Sequence, residues 1–123
     1  MNQSELINHA KKAREHAKAQ YSNYQVGAAL LAENDEVIYG CNVESKAYPT
    51  TMCAERVAIF SAISQGITNF KSIAVVTKDG AAPCGGCRQV MFEYAGDIPV
   101  IIGDLNGIQQ CINLSDLLPL PFA

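Results

Sequence analysis

Apolar residues recur at Leu6, Ile7, Ala10, Ala13 and Ala17 among Lys, Arg and Glu, a helical period that predicts an amphipathic helix from about Ser4 to Ala19. Its His9 and His16 are expected in solvent. The turn Tyr21-Ser22-Asn23-Tyr24 then leads into an apolar run from Val26 to Ala32. Asn34-Asp35 turns the chain back through Val37 to Val43, so the pair reads as a hairpin with a glycine-marked exit at Gly40. After a polar loop through Pro49, the stretch from Cys53 to Gln65 is apolar around much of a helical surface, and Gly66 closes it. Ile73 to Thr77 is short and continuously apolar, as a buried strand is. A glycine-containing turn and Pro83 precede a helix from about Cys84 to Tyr94. Strands at Val100 to Ile102 and around Ile108 to Ile112 follow, then a short last helix. This order predicts an α/β fold, a mixed sheet with helices on both faces.

Composition narrows the possible functions. With 123 residues, 49% of them hydrophobic, the chain is expected to form one domain that buries about two-thirds of its unfolded surface, which leaves self-association open. A net charge of -3 and the lack of any Lys/Arg cluster argue against a ligand bound through its phosphates, nucleic acid above all. The polar amino-terminal stretch has no signal core, and no apolar run is long enough for a bilayer, so the expectation is a cytoplasmic protein without membrane contact. Five cysteines cannot all pair, and in a reducing compartment they read as metal ligands or buried thiols.

The chemistry concentrates in Cys53-Ala54-Glu55-Arg56 and Pro83-Cys84-Gly85-Gly86-Cys87, each placed where a loop gives way to a helix. Tetrahedral zinc with Zn–S bonds of about 2.3 Å needs sulfurs roughly 3.8 Å apart, and two cysteines three positions apart on a first helical turn supply one such edge. Cys53 completes a set of three protein ligands, and a fourth position left for water marks a catalytic Zn²⁺ site. Three thiolates against one dication leave a net negative charge that would weaken its hold on water. Two helix amino termini, at about half a positive charge each, and Arg56 beside the ligands offset it. Glu55, two positions after a ligand, is placed to move a proton from the water to a leaving group.

A ligand-x-Glu segment followed by Pro-Cys-x-x-Cys is the signature of zinc deaminases. The chain resembles the bacterial homotetrameric cytidine deaminases over nearly its whole length. The matching segments are Tyr21-Ser22 with Val26-Gly27-Ala28-Ala29-Leu30, Gly40-Cys41-Asn42-Val43-Glu44, both cysteine motifs with Arg88-Gln89, and Leu117-Leu118-Pro119. The resemblance implies a three-layer α/β/α sandwich with a mixed five-stranded sheet and one zinc per subunit. It also implies a homotetramer with sites at subunit interfaces, and hydrolysis of cytidine and 2'-deoxycytidine in pyrimidine salvage. By position, Asn42 and Glu44 would hold the sugar hydroxyls, and the Ala54 amide would contact the ring carbonyl. Tyr24 stands where the family has a base-stacking Phe, and Phe122 would reach the base from a neighbouring subunit. Ser45-Lys46-Ala47 departs from the family's Asn-Ala-Ser or Asn-Ala-Ala and would put a cation near the far end of the sugar. The turn from Lys78 to Ala82 is clipped.

Blander readings stand beside these. The cysteines could form a structural zinc site closed by Cys41 or Cys111, although buried free thiols suit those two better. Glu55 alone could be a helix-start carboxylate, Arg56 a surface ion pair, Asn42 and Glu44 turn residues, and Tyr24 and Phe122 core or tail aromatics. Three functions follow: a nucleoside deaminase, a deaminase of another aminopyrimidine such as a blasticidin-type nucleoside, and a noncatalytic zinc-stabilised module. Asn-x-Glu favours the first over the second.

Overall fold

The computed structural model describes residues 1–122. Its centre is one five-stranded sheet in the order β2-β1-β3-β4-β5, built from β1 (Gly27–Ala32), β2 (Val37–Cys41), β3 (Phe70–Val76), β4 (Pro99–Asp104) and β5 (Gly107–Asn113). The sheet is mixed: β3 and β4 run parallel and the other neighbours antiparallel. Among the described residues four α-helices complete it: α1 (Gln3–Arg14), α2 (Ala54–Ser64), α3 (Gly85–Ala95) and the short α4 (Leu114–Leu117).

Alternation along the central strands assigns the layers, because successive side chains leave a strand on opposite faces. Ala29 and Leu31 of β1, with Ala74 and Val76 of β3, pack against Leu6, Ile7 and Ala10 of α1. Ala28, Leu30, Ile73 and Val75 face the other way, onto Ala54, Ala58 and Ile59 of α2 and Met91 of α3. The expected three-layer α/β/α sandwich is therefore present. No helix among the described residues is long and apolar enough to cross a membrane.

Two glycines set how closely the helices approach. A Cβ at Gly27 would lie 2.0 Å from the carbonyl oxygen of Ala10, and one at Gly40 would lie 2.1 Å from that of Ala54. At both places helix backbone rests directly on strand backbone. At Gly40 this contact seats the first turn of α2, where the candidate chemistry begins.

Four expectations are corrected. The first helix ends at Arg14, not Ala19. Tight bonds from Glu15, His16 and Ala17 to carbonyls three residues back close it, and Lys18 then pairs with Val43. Backbone pairing at a distance overrides the local helical preference of Ala17 to Ala19. The second strand stops at Cys41: the Asn42 amide still reaches the Val26 carbonyl, but its carbonyl accepts from Lys18, and Val43 pairs with Met52 instead of β1. His9 is half-buried, with Nδ1 2.5 Å from the Tyr39 hydroxyl, whereas His16 is exposed as expected. Cys41 is half-buried and Cys111 exposed, the latter because β5 is an edge strand with its outer face uncovered.

Candidate active site

Both cysteine motifs open helices. Cys53 is the N-cap of α2 and Cys84 the N-cap of α3, each in extended backbone immediately before eleven helical residues. The two amino termini converge so that the sulfurs of Cys53, Cys84 and Cys87 lie within 4.8 Å of one another. Cys53 Sγ is 4.0 Å from Cys84 Sγ, which is 3.4 Å from Cys87 Sγ. These separations bracket the edge of about 3.8 Å that a tetrahedral zinc–thiolate site needs. Three soft donors at that spacing fit zinc, and neither Cys41 nor Cys111 joins the group. A structural site closed by a fourth cysteine is thereby set aside.

Arg56, one helical turn after Cys53, lays Nη2 3.1 Å from its Sγ, so the expected guanidinium contact is present. Its Nε is shut away from water without a hydrogen-bond partner. The Cys53 thiol is drawn down to about 5, first by a hydrogen bond with Cys87 and, against the cost of burial, by Arg56. Cys87, the other member of that pair, is held above the ordinary thiol range. Negative charge therefore settles first on the sulfur nearest the arginine. Arg56→Gln is expected to weaken zinc retention by roughly 10- to 100-fold, read by competition with a chromophoric chelator. Unchanged retention would reduce Arg56 to a packing residue.

Glu55 is 4% exposed, the one charged side chain buried among the described residues. Burial pushes its carboxyl up to about 7; a backbone hydrogen bond opposes the shift and the charge of Cys53 adds to it. A cation held by the sulfurs would draw it back down. A buried carboxyl beside the donor set that can both take up and release a proton is what general acid–base chemistry requires.

Glu55, Cys53, Cys84 and Ala54 line a pocket of about 360 Å³ together with Tyr24, Asn42, Glu44, Thr77 and Pro83. That volume suits a small ligand. Ala54 is fully buried at the first position of α2, where a helix N–H has no intrahelical acceptor. Asn42 accepts from the Val26 amide at 2.9 Å and donates to the Tyr24 carbonyl at 2.8 Å, leaving one donor and one acceptor for a ligand. The Glu44 carboxylate accepts from the amides of Tyr21 and Ser22, each at 3.0 Å, and from the Ser22 hydroxyl. The Ser22 hydroxyl and then its amide hold that carboxyl below its usual range. About one of its four acceptor positions is left.

The remaining candidates lie elsewhere. Phe122 is 81% exposed, and its amide donates to Gln89 Oε1 on α3 at 3.1 Å; it does not line the pocket of its own chain. Lys46 is exposed and also stays off the pocket wall. Two residues were missed as individuals. Arg88 donates to the carbonyls of Pro83 and Leu117 at 2.8 and 2.9 Å, tying the start of α3 to α4; its place next to Cys87 was the available signal. Asp79 accepts from the Tyr24 hydroxyl at 2.5 Å, and nothing in the local sequence marks that contact.

The family described as the cytidine and deoxycytidylate deaminase zinc-binding region matches residues 1–103. The chain belongs to this family. Cytidine deaminases from Sporosarcina psychrophila and Halalkalibacterium halodurans are 46% and 48% identical to it; the alignments cover 100% and 99% of this chain and 93% and 95% of theirs. A crystal structure of cytidine deaminase from Burkholderia pseudomallei is 44% identical and superposes with a TM-score of 0.96, covering 99% of this chain and 100% of the other. Membership in this zinc-binding deaminase family agrees with the donor set: the three cysteines fit one zinc ion.

Proposed function

We propose that this chain, acting as one zinc domain, hydrolyses cytidine and 2'-deoxycytidine to uridine and 2'-deoxyuridine with release of ammonia. The observation that carries the reading is a buried carboxylate, Glu55, beside a three-sulfur donor set in a nucleoside-sized pocket. Cys53, Cys84 and Cys87 would hold the zinc, which when bound acidifies water to give a nucleophile at neutral pH. Glu55 accepts the proton lost by that water and passes it to the ring nitrogen N3 as the oxygen bonds to C4; it then takes the proton of the new C4 hydroxyl and delivers it to the amino group as the carbon–nitrogen bond breaks. Both protons of the water are thus accounted for, one on N3 of the uridine and one on the departing ammonia.

The other residues bind and orient. The Ala54 N–H, at the positive end of α2, donates to the ring carbonyl. Asn42 and Glu44, with the capacity left after their own hydrogen bonds, hold the sugar hydroxyls. Tyr24 supplies a wall for the base. Ultraviolet-followed turnover of cytidine, deoxycytidine, cytosine and cytidine monophosphate, with zinc content measured alongside, tests this assignment. Activity confined to the two nucleosides supports it. Bound zinc without turnover of any of the four would move the assignment to a modified pyrimidine.

The working form is a homotetramer in the cytoplasm, serving pyrimidine salvage. Support for self-association comes from Phe122 and Leu120, 81% and 94% exposed, and from Phe60 and Ile63 uncovered on α2. Gel filtration should give four chains of 13.2 kDa, and Phe122→Ala should raise KM. A monomer with full activity would refute the shared site.

A further inference from the structure

Two separate segments wall the pocket: Tyr24, just before β1, and the turn after β3, which contributes Thr77, Ala81 and Ala82. One chain of hydrogen bonds joins them. The Tyr24 hydroxyl donates to Asp79 Oδ1 at 2.5 Å, and the Thr77 hydroxyl donates to the same oxygen at 3.1 Å. Thr77 Oγ1 in turn accepts from the Ala81 amide at 3.0 Å. Each hydroxyl acts once as donor, and Thr77 also as acceptor, so the roles are mutually consistent. Lys78 Nζ lies over the Tyr24 ring, 5.5 Å from its centroid.

Tyr24 is thus held at both ends, its carbonyl by Asn42 and its phenol by Asp79. Burial, then the Asp79 bond, raises the phenol above its usual range, so it stays a donor. The bond from Tyr24 in turn keeps Asp79 below the usual carboxylate range. Asp79 does not line the pocket.

We infer that Asp79 is a positioning residue for the nucleoside: it latches the Tyr24 ring to the 77–82 turn across the pocket and so fixes the wall against which the base lies. The inference rests on the deaminase reading for its substrate, though not for its geometry. Glu55 and the cysteines stand on α2 and α3, outside the latch. Cutting it therefore loosens substrate binding and leaves the proton-moving group in place.

Steady-state kinetics with cytidine test this on four zinc-loaded variants. Asp79→Ala and Tyr24→Phe should each raise KM about three- to tenfold with kcat within about twofold, the range for one hydrogen bond. The double variant should match Asp79→Ala, because that change already removes the bond that Tyr24→Phe removes. Asp79→Asn, which keeps an acceptor oxygen, should retain most of the affinity. An unchanged KM, a multiplied effect in the double variant, or a fall in kcat alone would overturn the inference. Amide exchange at Ala81 reads the latch without turnover and should quicken in Asp79→Ala and in Tyr24→Phe. If the unaltered protein fails to deaminate cytidine, the substrate assignment falls and exchange alone decides: faster exchange in both variants upholds the latch, unchanged exchange ends it.

Discussion

Glu55→Gln is expected to lower kcat by on the order of 10³- to 10⁴-fold, the upper range for losing a general acid–base group. The side chain is 4% exposed, so bulk water has little access to replace it as a proton acceptor. The amide matches the carboxyl in shape, accepts no proton at neutral pH, and leaves the pocket volume unchanged. One group serves both the deprotonation of water and the protonation of the leaving amine, so a single change disables both steps. Zinc content should stay at one per chain, because the three sulfurs that fit the ion do not include Glu55. Stability should hold or rise: burying a carboxylate costs more than burying an amide, and burial already drives this group's proton affinity upward. Tenth-of-native activity in a zinc-loaded Gln variant would mean that another base does the work. Loss of zinc together with activity would mean that Glu55 holds the metal.

Local spacing made the chemistry legible. Cys84 and Cys87 sit three apart on one helical turn, and Glu55 and Arg56 follow Cys53 directly, so each fragment announces its role in a few residues. The central strands were equally clear because β1 and the Ile73–Val76 part of β3 are buried on both faces and read as apolar runs, whereas the start of β3 at Phe70 to Ser72, with exposed Lys71, does not. What stayed hidden depends on partners far along the chain. Ala17 to Ala19 look helical in isolation, and only the pairing of Lys18 with Val43 draws them out. Asp79 reads as a turn residue, since its partner Tyr24 lies 55 positions away. Cys111 reads as a buried thiol because free cysteines usually are, yet an edge strand leaves it in solvent. Gly40 read as the exit of a hairpin, whereas its main role is steric and involves a helix that begins fourteen residues later.

That steric role carries a large expected effect on stability, and one that reaches the site. In Gly40→Ala the new methyl carbon would sit 2.1 Å from the Ala54 carbonyl oxygen and 2.7 Å from the Ala58 amide nitrogen. Both are backbone atoms of α2, so no side chain can rotate away, and the helix itself must lift off β2. Overpacking of this kind should cost about 3 kcal/mol or more and lower Tm by roughly 10 °C in a chain of this size. The damage should also reach the chemistry. Ala54 lies between Cys53 and Glu55, and a shift of the first turn of α2 moves a sulfur away from its two partners on α3 and displaces the buried carboxylate. Zinc affinity should therefore fall along with Tm, and residual activity should be lower than the folded fraction alone would give. Gly66→Ala is the matched control. Nothing lies within 4 Å of a Cβ there, and only the positive φ of 79° is strained. Its cost should be roughly 1 kcal/mol with zinc binding intact. If Gly40→Ala instead melts within a degree or two of the native protein and keeps its zinc, the close seat of α2 on β2 does not hold the site together.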